Sequence, residues 1–127
     1  RVVFFYGNGD LVSYTLDGKR QWARNLQKGY GDFAFGWTFS SSPLLYDGKL
    51  YCQILQRDEP VDGRGKPGAE SFLLALNPAN GEEIWRVSRP TQARMESREA
   101  FTTPIPMVHN GRKEIVLAGG NRLSGHD

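Results

Sequence analysis

Two stretches of this chain share one design, and that repetition constrains the fold more than any other feature. "SYTLDGKRQW" and "ALNPANGEEIW" each run from an alternating strand through an Asp-Gly or Asn-Gly pair into a second strand that carries a tryptophan. The interval from Gly18 to Gly81 is the interval from Trp22 to Trp85, so the hairpins superpose with one extra residue in the second turn. Such pairs tolerate the positive φ that tight hairpins require. A second match joins "SSPLLYDGKLYCQ" to "TTPIPMVHNGRKEIVL", with Pro43 over Pro104 and Gly48 over Gly111. The closing "RLSGHD" then lies over "FLLALN".

The unit is four short strands: one opening after Ser-Ser-Pro or Thr-Thr-Pro, one after a Gly turn, one ending in "ALN", and one bearing the Trp. Four antiparallel strands repeating at roughly 40 to 60 residues predict blades of a β-propeller. The expected fold is therefore all-β, with about three blades of a larger ring: a partial blade over 1–26, a complete one over 39–88, and a partial one over 101–127. Both ends read as cuts through structure. Composition agrees, since 15 Gly and 7 Pro stand beside 3 Trp, 5 Tyr and 7 Phe, a mixture of turns and strand formers. No window keeps a helical apolar period for three turns.

"ALNPANGEEIW" resembles the Ala-x-Asp-x-x-Thr-Gly-x-x-x-Trp signature of pyrroloquinoline-quinone-like (PQQ-like) propeller repeats, with Ala75, Asn77, Gly81 and Trp85 on its positions. Asn77 stands where Asp is usual and Asn80 where Thr is usual; "SYTLDGKRQW" is a shorter copy that keeps Gly18 and Trp22. The resemblance implies that the tryptophan of one blade docks on the alanine and glycine region of its neighbour, so Trp22, Ala75, Gly81 and Trp85 are expected to be structural docking residues. It implies an extracytoplasmic location, periplasmic or secreted, and an intact ring of six to eight blades. It also implies two kinds of function. One is a non-catalytic scaffold that binds protein or ligand, as in the propeller lipoprotein of the outer-membrane barrel assembly machinery. The other is a quinoprotein alcohol or sugar dehydrogenase holding PQQ and calcium. An extracytoplasmic sensor domain of a receptor or kinase is a third.

The residues bear on that choice. Sixteen basic and fourteen acidic residues give a net charge of +2, without the basic run that neutralises successive phosphates, so nucleic acid is not an expected partner. The longest apolar runs, such as "VVFFY", are far short of the roughly 20 residues of a membrane helix. The single cysteine, Cys52, sits in an alternating strand and reads as a packed residue.

Three long segments, residues 27–38, 56–71 and 87–100, join strands at the same end of the expected blades, whereas the other end has only short turns at Asp47-Gly48, Asn80-Gly81 and Asn110-Gly111. Scaffolds place function on loops, so that rim is the expected binding face for a protein or a small ligand. Its candidates are Tyr30, Trp37, Arg57, Asp58, Glu59, Arg94, Glu96, Arg98 and Glu99. Tyr30 and Trp37, with Phe33 and Phe35, would form either an exposed sticky patch or packing under the loop. Arg94 and Arg98 stand at i, i+4 in a stretch able to form one or two helical turns; they would either fork an anionic ligand or pair with Glu96 and Glu99 beside them. Asp58 and Glu59 lack the alternating spacing of a calcium loop. His109 and His126 have no second ligand at metal spacing, the glycines form no nucleotide loop, and no nucleophile has a base beside it. The sequence therefore predicts no catalytic, cofactor or metal residue, and favours the non-catalytic binding module.

Overall fold

The computed structural model describes residues 1–127 and shows an all-β chain of ten strands in three antiparallel sheets. The first sheet is the meander β1 (Val2–Phe5), β2 (Asp10–Tyr14) and β3 (Arg20–Asn25). The middle sheet holds β4 (Leu44–Tyr46), β5 (Lys49–Ile54), β6 (Phe72–Leu76) and β7 (Glu83–Ser88). The third contains β8 (Ile105–His109), β9 (Arg112–Gly119) and β10 (Arg122–His126).

The repeated hairpins superpose in register. Ser13 faces Trp22 across β2 and β3, Ala75 faces Trp85 across β6 and β7, and both pairs carry a bulge one step beyond, at Ser13/Tyr14 and Ala75/Leu76. A small residue opposite each indole leaves room for the ring.

Two apolar cores separate the three sheets. Leu11 of β2 joins Leu50, Cys52 and Ile54 of β5 and Phe72, Leu74 and Leu76 of β6 on one side of the middle sheet. On its other side Tyr51, Leu73 and Ala75 meet Ile115 and Leu117 of β9. With both faces covered, every residue of β6 is buried, so "FLLAL" is an unbroken apolar strand and not the alternating one expected from the sequence. Strand β2 of the first sheet alternates instead, between half-buried and buried residues.

One element escapes the pattern. Residues 26–30 form a short helix, α1 (Leu26–Tyr30), whose first turn is capped by the Asn25 side chain accepting from the Lys28 amide at 3.1 Å. Gly31, at φ +96°, ends it. Leu26 is fully buried and holds α1 against the first core.

Candidate functional site

Strand direction alternates through each meander, so the long connections 26–43, 55–71 and 89–104 emerge at one end, with short turns at the other. The short-turn end is fastened by side chains crossing between sheets. The Trp22 indole lies on Gly81, where an added Cβ would stand 2.7 Å from Cε3, and its Nε1 donates to the Pro78 carbonyl at 2.9 Å. Arg24 Nη1 donates to the Gly81 carbonyl at 2.7 Å. Lys113 of β9 reaches Asp47 in the β4–β5 turn at 2.7 Å, and that bond holds the Asp47 carboxyl below its usual range. Trp85 occupies the corresponding place on β7, with its ring 5.9 Å from that of Tyr51 and packed beside the second core.

At the long-segment end, one carboxylate ties all three connections. Glu99 Oε1 accepts from the Gly36 amide at 2.9 Å and from Arg57 Nε at 2.5 Å, while the Arg57 amide donates to the Ala34 carbonyl at 3.0 Å. The Glu99 side chain is 2% exposed and that of Arg57 16%, so the pair is desolvated. Removing either charge would strand the other in an apolar setting. A Cβ at Gly36 would lie 2.9 Å from Arg57 Nη2, so a larger residue there would displace the end of that arginine. Gln56 continues the join, its Oε1 accepting from the Ala34 amide and its Nε2 donating to the Glu70 carbonyl. The Ala100 amide donates to Leu55, drawing the third connection onto the second.

Arg98 bonds Asp58 at 3.2 Å and also donates to the Ala93 carbonyl. These two residues, with Glu59, Gln92, Arg94 and Met95, line an open hollow of about 480 Å³. Met95 begins a 3-10 turn (Met95–Arg98) at φ +51°, a strained value for a side chain of that size, and is 63% exposed. A second hollow, about 320 Å³, lies beside Tyr30 and is lined also by Asp32, Lys66, Glu70 and Arg86. There the Arg86 guanidinium stacks over the Tyr30 and Phe72 rings at 5.1 and 5.6 Å, and Arg24 lies over Tyr30 at 5.4 Å. Tyr30 donates to Glu83 at 2.6 Å; burial, then that bond, raises its phenol above the ordinary range.

The candidates therefore divide. Arg57, Asp58, Arg98 and Glu99 come together, with Glu59 and Arg94 on the rim of the hollow; Glu96 is exposed on the 3-10 turn and joins none of these bonds. Neither arginine of the i, i+4 pair bonds a neighbouring glutamate, since Arg98 takes Asp58 and the first partner of Glu99 is Arg57. The aromatic cluster splits: Phe33 and Phe35 are buried, Tyr30 half-buried, and Trp37 72% exposed. Gly36, Gln56 and Arg86 belong to the site and were not singled out in the sequence, where only the position of Gln56 just past the end of an apolar strand marks it.

No three His, Cys, Asp or Glu side chains converge as a metal site. The Cys52 thiol, fully enclosed, is pushed by burial up to about 12. His126 Nε2 lies 3.0 Å from Ser124 Oγ, and burial first, then Arg89 and Arg122, lower its pKa. Arg89 Nε also donates to Ser124, so that hydroxyl belongs to a structural network. No helix is long and apolar enough to cross a membrane. No family model matches the chain, and no curated protein matches it significantly.

Proposed function

We propose that this chain is an arc of a PQQ-like β-propeller that works outside the cytoplasm as a non-catalytic binding module, with a protein or small ligand held at the long-segment rim. The observation that carries the binding face is the Glu99 carboxylate, which gathers three long connections into one preorganised surface. The opposite end spends its residues on short turns that fasten one sheet to the next. The propeller reading is supported by the matched register and bulge of the two tryptophan hairpins and by the seat of Trp22 on Gly81. Asp58 is engaged by Arg98 and Glu99 by Arg57, pairings that suit a rim built for binding.

The test is capture from a native extract by the immobilised chain. Changing Trp37, Glu59 and Arg94 together to Ala alters only exposed side chains and should abolish capture, whereas Leu16→Ser and Lys113→Ala at the opposite turns should leave it intact. The reverse pattern would move the binding face to the short-turn end. In parallel, PQQ with calcium should support no dye-linked oxidation of alcohols or sugars. Turnover above the blank without protein would replace this reading with a dehydrogenase.

A further inference from the structure

The chain contains three Asn-Gly pairs, Asn8-Gly9, Asn80-Gly81 and Asn110-Gly111, all in turns. Such a pair is chemically labile in principle, because glycine has no Cβ to shield its backbone nitrogen from the preceding side-chain amide. Two of the three are restrained. At the first, the Asn8 amide donates to Asp10 Oδ2 at 2.8 Å, its Oδ1 accepts from the Asp10 amide, and the Gly9 N–H is engaged by the Tyr6 carbonyl at 2.9 Å. The second repeats this, with Asn80 donating to Glu82 at 2.6 Å, accepting from the Glu82 amide, and the Gly81 N–H bonded to Asn77 at 2.8 Å. Gly9 and Gly81 are also buried.

The third pair has none of these restraints. Asn110 and Gly111 are the two exposed central residues of the β8–β9 hairpin, at φ +48° and +79°, and the Gly111 N–H donates to no group of the protein. Nothing approaches within 4 Å of where a Gly111 Cβ would stand. The Asn110 side chain makes a single polar contact, its Nδ2 lying 3.2 Å from His109 Nε2.

We propose that Asn110 is a site of self-modification, at which the Gly111 backbone nitrogen attacks the Asn110 side-chain carbonyl. The bond from Gly111 N to Asn110 Cγ forms, the Cγ–Nδ2 bond breaks, and ammonia leaves; the attacking nitrogen gives up its proton and the departing nitrogen gains one. The His109 Nε2 atom lies 3.2 Å from Nδ2, beside the departing nitrogen. Water then opens the cyclic imide at either carbonyl, giving aspartate or isoaspartate. Both products place a carboxylate at the tip of the hairpin, and isoaspartate adds a methylene to the backbone of a two-residue turn. That turn leads into Lys113, whose bond to Asp47 fastens the third sheet to the middle one.

The experiment is incubation of the folded chain in mildly alkaline buffer, with peptide mapping by mass spectrometry and chromatographic separation of aspartate from isoaspartate. Asn110 should convert at least about tenfold faster than Asn8 or Asn80, the factor set by one hydrogen bond's worth of restraint. In strong urea the three rates should draw together. His109→Phe should slow Asn110 several-fold and leave the other two unchanged. Three results would each overturn the proposal: Asn8 or Asn80 converting first, the same rank order persisting in urea, or Asn110 staying intact while the unfolded chain converts.

Discussion

Replacing Gly81 by alanine tests the fastening of the first sheet to the middle one. Gly81 sits at φ +75°, where a Cβ costs about 1 kcal/mol through the backbone alone. The new methyl would also lie 2.7 Å from Trp22 Cε3 and 3.0 Å from Cδ2 and Cζ3, atoms of a rigid ring. Retreat of that ring would break the Nε1 bond to Pro78, so overpacking of about 1 to 3 kcal/mol is joined by roughly 1 kcal/mol of hydrogen bonding. The sum is a loss of about 3 to 5 kcal/mol. Gly18→Ala is the internal control: φ is +82° and nothing lies within 4 Å, so only the backbone cost of about 1 kcal/mol applies. Urea melts followed by far-ultraviolet circular dichroism measure both, and in a Trp22→Ala background the cost at Gly81 should fall to that at Gly18. Equal costs at Gly18 and Gly81 in the parent chain would refute the seating of Trp22.

Glu99→Ala, which strands Arg57, should destabilise by about 3 kcal/mol or more in the same melts, whereas Arg98→Ala, whose partner Asp58 is half exposed, should cost about 1 kcal/mol or less. His126 carries a pH dependence. Its folded pKa lies below the ordinary 6.5, so the unfolded chain takes up the proton first, and stability present above that pH is lost as pH falls toward the folded value. Melts across this range, repeated with His126→Asn, should show that this segment of the pH profile disappears. Cys52, enclosed and with its thiol pushed up to about 12, should react with a thiol reagent only as fast as the chain unfolds; labelling at the rate of an exposed thiol would contradict its burial.

Much of the sheet architecture was legible because it rests on local chemistry. The spacing of Gly18 and Trp22, repeated at Gly81 and Trp85, carried both hairpins, but the strand at Phe72–Leu76, expected to alternate, is buried at every residue because a core lies on each of its faces. Helix α1 was not legible, because five residues are too few for a period and only the Asn25 cap signals it. The rim was legible as a location but not as a network. The bond from Arg57 to Glu99 spans 42 residues, and the closeness of Arg98 to Glu96 and Glu99 along the chain pointed to pairs that distance in space does not make. The positive φ of Met95 has no signature in its residue type, and Arg86 acquires its place only when the first and middle sheets bring Tyr30 and Phe72 together.

The doubly covered middle sheet sets an order of opening. Amides of β5 and β6 are shielded by both cores, so their exchange with solvent deuterons requires the departure of at least one neighbouring sheet, and their protection reports the most global event the chain undergoes. The first sheet meets the middle one through the first core and the third sheet meets it through the second, while the Glu99 bonds join their connections at the long-segment end. Thermal opening therefore enters from the flanks and reaches Leu73 and Leu74 last.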